Sequence, residues 1–156
     1  MKKVFSILII LLFASNVTFA LNWVQINDNL YIDTDTIEYY VDRYGSKDID
    51  KYSFWVQNIN SGNEYWKKLE NSLKKNGEKR KPAYTNYRNL IDCKQKVITT
   101  KAFITYTENG EVLDSFDHKY PEWSSIAPGS YGEYYYNNIC KPTKTKKGIS
   151  KFLFGS

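Results

Sequence analysis

Histidine is almost missing from this chain: there is one in 156 residues, His118, beside two cysteines and no glycine-rich loop that could cradle a phosphate. A catalytic centre built on imidazole is poorly supplied, because no serine stands in a nucleophile-elbow context for His118 to activate. No Cys/His spacing matches a zinc site. The acidic pairs Asp33-Thr34-Asp35, Asp48-Ile49-Asp50 and Asp114 with Asp117 lack the calcium-loop pattern of central glycine and terminal glutamate. They read as turn formers and solvated strand ends. After residue 20 no stretch stays apolar over the ~20 residues that a membrane helix needs.

What is present begins with MKKVFSILIILLFASNVTFA, residues 1–20, where two lysines precede an apolar run and small residues end at Ala20. This is the order of a secretory signal peptide, with cleavage expected after Ala20. No cysteine stands near that site, so no acceptor for an N-terminal lipid is expected. Export implies an oxidising compartment, in which an even cysteine pair without CxxC spacing reads as one structural disulfide, Cys93 to Cys140. In the loop-entropy picture such a closure of ~47 residues is worth about 4 kcal/mol. Two unpaired buried thiols are the alternative reading.

The formal charge of +5 is unevenly placed. Residues 141–156 hold five lysines and no acid, and residues 21–140 hold 15 basic against 17 acidic side chains. A nucleic-acid-binding domain is therefore not expected. Within the body, residues 61–90 carry eight basic and three acidic groups, between two segments of acidic excess. The division expected is a signal peptide at 1–20, one domain at 21–140 and a basic, flexible tail at 141–156.

The body is rich in Tyr, Trp, Phe, Val, Ile and Thr cut at short intervals by Asn, Asp and Gly, the composition of short antiparallel strands. Strands are expected at 23–26, 30–33, 36–41, 52–59, 85–93, 97–106 and 112–116. Asn109-Gly110 between the last two suggests a hairpin closed by a type I′ turn. Two helices are expected as well. Ser61 stands three residues before Glu64, a capping-box spacing, and Trp66, Leu69 and Leu73 then share one face until Gly77. Ser130 stands three before Glu133 in the same way, opening a helix that runs to Cys140 ahead of Pro142.

Two features suggest binding rather than catalysis. Tyr131, Tyr134 and Tyr135, with Trp123 nearby, are dense enough to form a stacking face, although a helix on a sheet more often buries such residues as core. The cations Lys67, Lys68, Lys74, Lys75, Lys79, Arg80, Lys81 and Arg88 form either a solvated face or a surface for an acidic partner, such as a sulphated glycan, an anionic lipid or an acidic protein.

Taken together, Trp23 with Tyr31-Ile32-Asp33, Tyr87-Arg88-Asn89-Leu90-Ile91-Asp92-Cys93-Lys94, Asn109-Gly110-Glu111-Val112 with Trp123, and Ile126-Ala127-Pro128-Gly129-Ser130-Tyr131-Gly132-Glu133 running to Cys140 resemble the surface-adhesin protein E family of Gram-negative bacteria. The likeness spans roughly Trp23 to Cys140. It implies a bent antiparallel sheet of about six strands with a C-terminal helix held on its concave face by the two cysteines. It also implies adhesion to host matrix or plasma proteins such as vitronectin, laminin and plasminogen by outer-membrane lipoproteins. This chain departs from that pattern in offering no lipid-accepting cysteine, and residues 61–79 have no counterpart in it, so no family binding residue carries over there.

The reading is an exported, non-catalytic α+β binding module for a protein or glycan ligand, without cofactor, metal or nucleic acid and with no transmembrane segment in the mature chain. Its location is the periplasm, the outer-membrane surface or the extracellular space. A periplasmic binding protein, inhibitor or assembly partner with no host ligand is the alternative.

Overall fold

The computed structural model describes residues 22–141, so the signal peptide expected at 1–20 and all but the first residue of the tail expected at 141–156 lie outside the described residues. Seven strands and two helical segments follow in order: β1 Trp23–Asn27, β2 Leu30–Val41, β3 Lys47–Ile59, α1 Glu64–Lys75, β4 Tyr84–Asp92, β5 Val97–Tyr106, β6 Val112–Asp117, β7 Ser124–Ser125 and α2 Tyr131–Tyr135, which continues as a π-helical turn over Tyr136–Cys140. Each of β1 to β5 pairs antiparallel with its successor, so the order of the first six strands in the sheet repeats chain order. The outer edge of β5 is divided between two partners. Residues Ala102–Tyr106 pair with β6, and Val97 and Ile98 pair with the short β7.

The segments expected as separate strands at 30–33 and 36–41 are one strand with an irregular middle. The β2–β3 register shifts between Asp33 and Glu38 and again between Tyr39 and Tyr40. In the first gap the Thr36 hydroxyl accepts the Trp55 N–H at 3.0 Å and donates to the Asp33 carbonyl at 2.8 Å, replacing the missing ladder bonds. Asp33-Thr34-Asp35 is thus a bulge inside a strand rather than a turn between strands, with the Asp33 carboxylate accepting the Asp35 N–H at 3.1 Å. Asp33 is 1% exposed, and this burial raises its carboxyl above the ordinary range.

The β5–β6 hairpin forms, but not through a type I′ turn. The Gly110 N–H bonds the Thr107 carbonyl at 3.0 Å, the Thr107 N–H bonds the Glu111 carbonyl at 2.9 Å, and Gly110 alone in this turn has positive φ, at 79°. A type I turn closed by one left-handed glycine spares Asn109 the conformation that type I′ would demand of it. The Thr107 hydroxyl strengthens the closure by accepting the Glu111 N–H at 3.1 Å.

Alternation along the strands separates two faces. On the inner face Leu30, Ile32, Phe54, Val56 and Ile91 meet Tyr135 and Ile139 of the C-terminal helical segment. Phe54 and Ile91 are wholly buried, and the Phe54 and Tyr135 rings meet edge to face at 5.1 Å. The disulfide Cys93–Cys140, with Cα atoms 5.4 Å apart, ties the end of this segment to the residue following β4. The architecture is the α+β one expected: an antiparallel sheet, a C-terminal helix bound to it by the disulfide, and an amphipathic helix in mid-chain.

Helix α1 also lies on the inner side, because the Tyr65 hydroxyl bonds that of Tyr87 at 2.9 Å and Tyr87 stands opposite Val56 in the sheet. Trp66 is wholly buried, while Leu69 and Leu73 are half-buried on the same face. The N-cap is Asn63 rather than Ser61: its side chain accepts the Trp66 N–H at 3.2 Å. Gly62, at φ 67°, turns the chain between Ser61 and the helix, so Ser61 stands too early to cap it. Ser130 does cap α2, accepting the Glu133 N–H at 3.3 Å while the Glu133 carboxylate reaches back to the Gly129 N–H at 2.7 Å.

Candidate functional site

The cationic segment 67–88 divides into three parts. Lys67, Lys68, Lys74 and Lys75 are exposed on α1, and Lys79, Arg80 and Lys81 follow in the connection to β4. Lys68 reaches Glu64 at 2.9 Å and Lys74 reaches Glu70 at 4.0 Å, one turn apart on the helix. Pairs of this kind, with side chains of both lysines more than 60% exposed, hold their charge only loosely and leave it available to a partner. Lys67, Lys75, Lys79 and Lys81 form no ion pair among the described residues. Arg80 is engaged, bridging Glu78 at 2.7 Å and Glu111 at 3.2 Å, and this guanidinium holds the Glu78 carboxyl down at about 2. Arg88 stands apart from the helix. It projects from β4 opposite Trp55, on the other face of the sheet from Tyr87, and donates to the Ser53 hydroxyl at 2.9 Å beside Glu38.

The outer face, opposite the helices, carries a cleft of about 970 Å³. Its floor is built from Lys51, Leu90, Asp92 and Val97, three of which are neighbours by strand register: Lys51 opposes Asp92, and Asp92 opposes Val97. The β2–β3 turn supplies one wall with Arg43 and Tyr44. The segment after β6 supplies the other with Lys119, Tyr120 and Trp123. That segment is fastened across the sheet by the Thr99 hydroxyl, which donates to the Glu122 carbonyl at 2.7 Å.

Charges inside the cleft are largely matched. Lys51 bridges Asp48 at 2.8 Å and Asp92 at 3.7 Å, and the bond to Asp48 raises the ammonium and lowers that carboxyl. Asp92 also accepts the Gln95 N–H at 2.8 Å. Asp42 accepts the N–H groups of Tyr44 and Ser46 at 2.8 and 2.9 Å. Lys101, set in the irregular β4–β5 register after Thr100, reaches Asp117 and the His118 carbonyl. Arg43 and Lys119 have no carboxylate partner among the described residues; each lies instead over its neighbouring tyrosine ring, at 4.6 and 5.4 Å from the ring centre.

The remaining candidates are distributed differently. Of the tyrosine cluster, Tyr135 is core and Tyr134 packs against it, whereas Tyr131 is exposed and Trp123 lines the outer cleft. His118 is exposed beyond β6, its ring edge-on to Phe116 at 4.4 Å. Among the described residues no group of three or more His, Cys, Asp or Glu is placed to hold a metal ion. No described helix is long and apolar enough to cross a membrane.

Comparison with known proteins adds a family and a fold. The family model described as Surface-adhesin protein E matches residues 23–141. Similar solved structures include the selenomethionine form of Haemophilus influenzae protein E, which is 17% identical over 76% of this chain and 84% of that one with a TM-score of 0.50. Crystal form II of the same protein is 16% identical over 76% of this chain and 86% of that one with a TM-score of 0.47. No curated protein matches the chain. At these identities the structural likeness concerns the fold.

Proposed function

As the chain belongs to the Surface-adhesin protein E family, we propose that it is an exported, non-catalytic adhesin-like protein of the cell envelope, binding an acidic protein or glycan through its cationic helix and loop. The observation that carries this reading is the set of lysines 67, 68, 74, 75, 79 and 81, all exposed within one stretch of α1 and the connection after it. Acidic residues are few in the same stretch, and the two i,i+4 pairs on the helix leave their lysines largely in solvent. Long, exposed cations on a rigid helix attract an acidic surface at range and release it as salt rises. The wholly buried Trp66 and the bond between the Tyr65 and Tyr87 hydroxyls hold that helix in place without depending on the ligand.

Host matrix and plasma proteins, together with sulphated glycans, are the ligand classes that family membership and charge recommend. The test is retention of the mature protein on immobilised vitronectin, laminin or heparin across a salt series. Changing the six lysines to glutamine is expected to abolish the salt-dependent part of the retention. Retention of that variant equal to the parent's would overturn the role of the patch.

A further inference from the structure

We propose that the cleft on the outer face of the sheet is a second binding site, separate from the cationic helix, and that it takes an acidic saccharide with a carboxylate-bearing sugar seated between the Arg43/Tyr44 turn and the Lys119/Tyr120 wall. At about 970 Å³ the cleft lies at the upper end of the ~300–1,000 Å³ usual for ligand sites, enough for a short oligosaccharide.

Three observations carry the assignment. The first is the charge balance. Each acid of the cleft is already engaged, Asp42 by two backbone N–H groups, Asp92 by Lys51 and a backbone N–H, and Asp117 by Lys101. The two cations left over, Arg43 and Lys119, stand on opposite walls, so the unsatisfied charge is positive and flanks the opening. The second is the aromatic lining. Tyr44 and Tyr120 are 78% and 75% exposed, an unusual state for large rings, and Trp123 joins them at 40%. Rings held open on both walls suit the C–H face of a pyranose, and the fixed Lys51/Asp92 and Lys101/Asp117 pairs on and beside the floor offer donors and acceptors for its hydroxyls. The third concerns the competing ligand, an extended acidic peptide. Such a peptide gains affinity by pairing with an open sheet edge, but at Val97 and Ile98 the edge of β5 is taken by β7.

The probe is a hyaluronan tetrasaccharide, which bears carboxylates and no sulphate, titrated into the mature disulfide-bonded protein by calorimetry. Its carboxyl-reduced counterpart serves as the neutral control. The acidic sugar is expected to bind more tightly than the neutral one, with a gap that narrows as salt is raised. The double variant Arg43→Gln/Lys119→Gln is expected to lose about two- to thirtyfold in affinity for the acid, as two solvent-exposed ion pairs would supply. It should lose little for the neutral sugar. Tyr120→Ala is expected to weaken both, and the six-lysine helix variant neither, which separates failure here from failure of the helix reading. Equal affinity for the acidic and neutral sugars, binding unchanged by the double variant, or binding of a hexaglutamate peptide with none of the tetrasaccharide would each overturn the proposal.

Discussion

Replacing both cysteines, Cys93→Ala with Cys140→Ala, tests how the C-terminal helix is held. The bridge joins positions 47 residues apart in sequence. For a loop of that length the chain-entropy relation gives about 14 cal/mol/K, or about 4 kcal/mol at 25 °C, of stability supplied by restricting the unfolded chain. Against this stands the packing that survives the change. Tyr135 and Ile139 are 5% and 2% exposed in the inner core, and burying side chains of this size contributes roughly 1.5–3 kcal/mol each. The two terms are comparable, so the helix should stay seated in the variant while the domain as a whole loses about 4 kcal/mol. Urea unfolding followed by far-ultraviolet circular dichroism measures the loss as a lowered midpoint. Near-ultraviolet dichroism of the native variant reports whether the core packing around Tyr135 persists. Because the unbridged unfolded chain is more expanded, the urea slope should also rise. A loss below about 1 kcal/mol would refute the entropy argument. Loss of the near-ultraviolet signal before any urea is added would refute the claim that packing alone can keep the helix docked.

Further outcomes concern the capping and the buried acid. Asn63→Ala should cost about 1 kcal/mol, whereas Ser61→Ala should stay within about 0.5 kcal/mol, measured by the same urea midpoints; the reverse order would return the cap to Ser61. Asp33 is buried and its carboxyl is raised, so its ionised form opposes folding: stability from this group is present at low pH and is lost as pH rises through the raised value. Asp33→Asn, which keeps an acceptor for the Asp35 N–H, should therefore raise the thermal midpoint at pH 7, with the gain closing as pH falls below the ordinary carboxyl range. A gain that grows toward low pH would contradict that sign.

The sheet, both helices and the bridge were readable because each rests on a local signal. Alternation and β-branched composition mark the strands, and Trp66, Leu69 and Leu73 mark the buried side of α1. The export expected from residues 1–20, together with an even cysteine count, marks the disulfide. What escaped was set by longer-range geometry. Asp33-Thr34-Asp35 has the composition of a turn but becomes a bulge, because Thr36 finds Trp55 on the adjacent strand to complete the ladder. Asn109-Gly110 has the composition of a type I′ turn, but Thr107 and Glu111 close the loop one residue wider. Arg88 counts with the helix lysines in sequence, yet strand alternation turns it to the opposite face.

The outer cleft is assembled from the β2–β3 turn, the middle strands and the segment after β6, so no single stretch displays it. One trace of it is legible: Arg43-Tyr44 and Lys119-Tyr120 repeat a cation beside an aromatic ring, each in a polar connection where neither has a core to enter. The density of tyrosines at 131–135 reflects the packing of Tyr134 and Tyr135 against the core rather than a stacking face.

Recognition of an acidic ligand by the exposed lysines of α1 and the following loop can be measured as equilibrium binding of the mature protein to immobilised heparin from low to high salt. Parent protein and the six-lysine glutamine variant are compared at each step, after matching circular dichroism spectra have shown both folded. Parent binding should fall steeply with salt, and variant binding should be weak throughout. Binding of equal strength and equal salt dependence in the two would contradict recognition by those lysines.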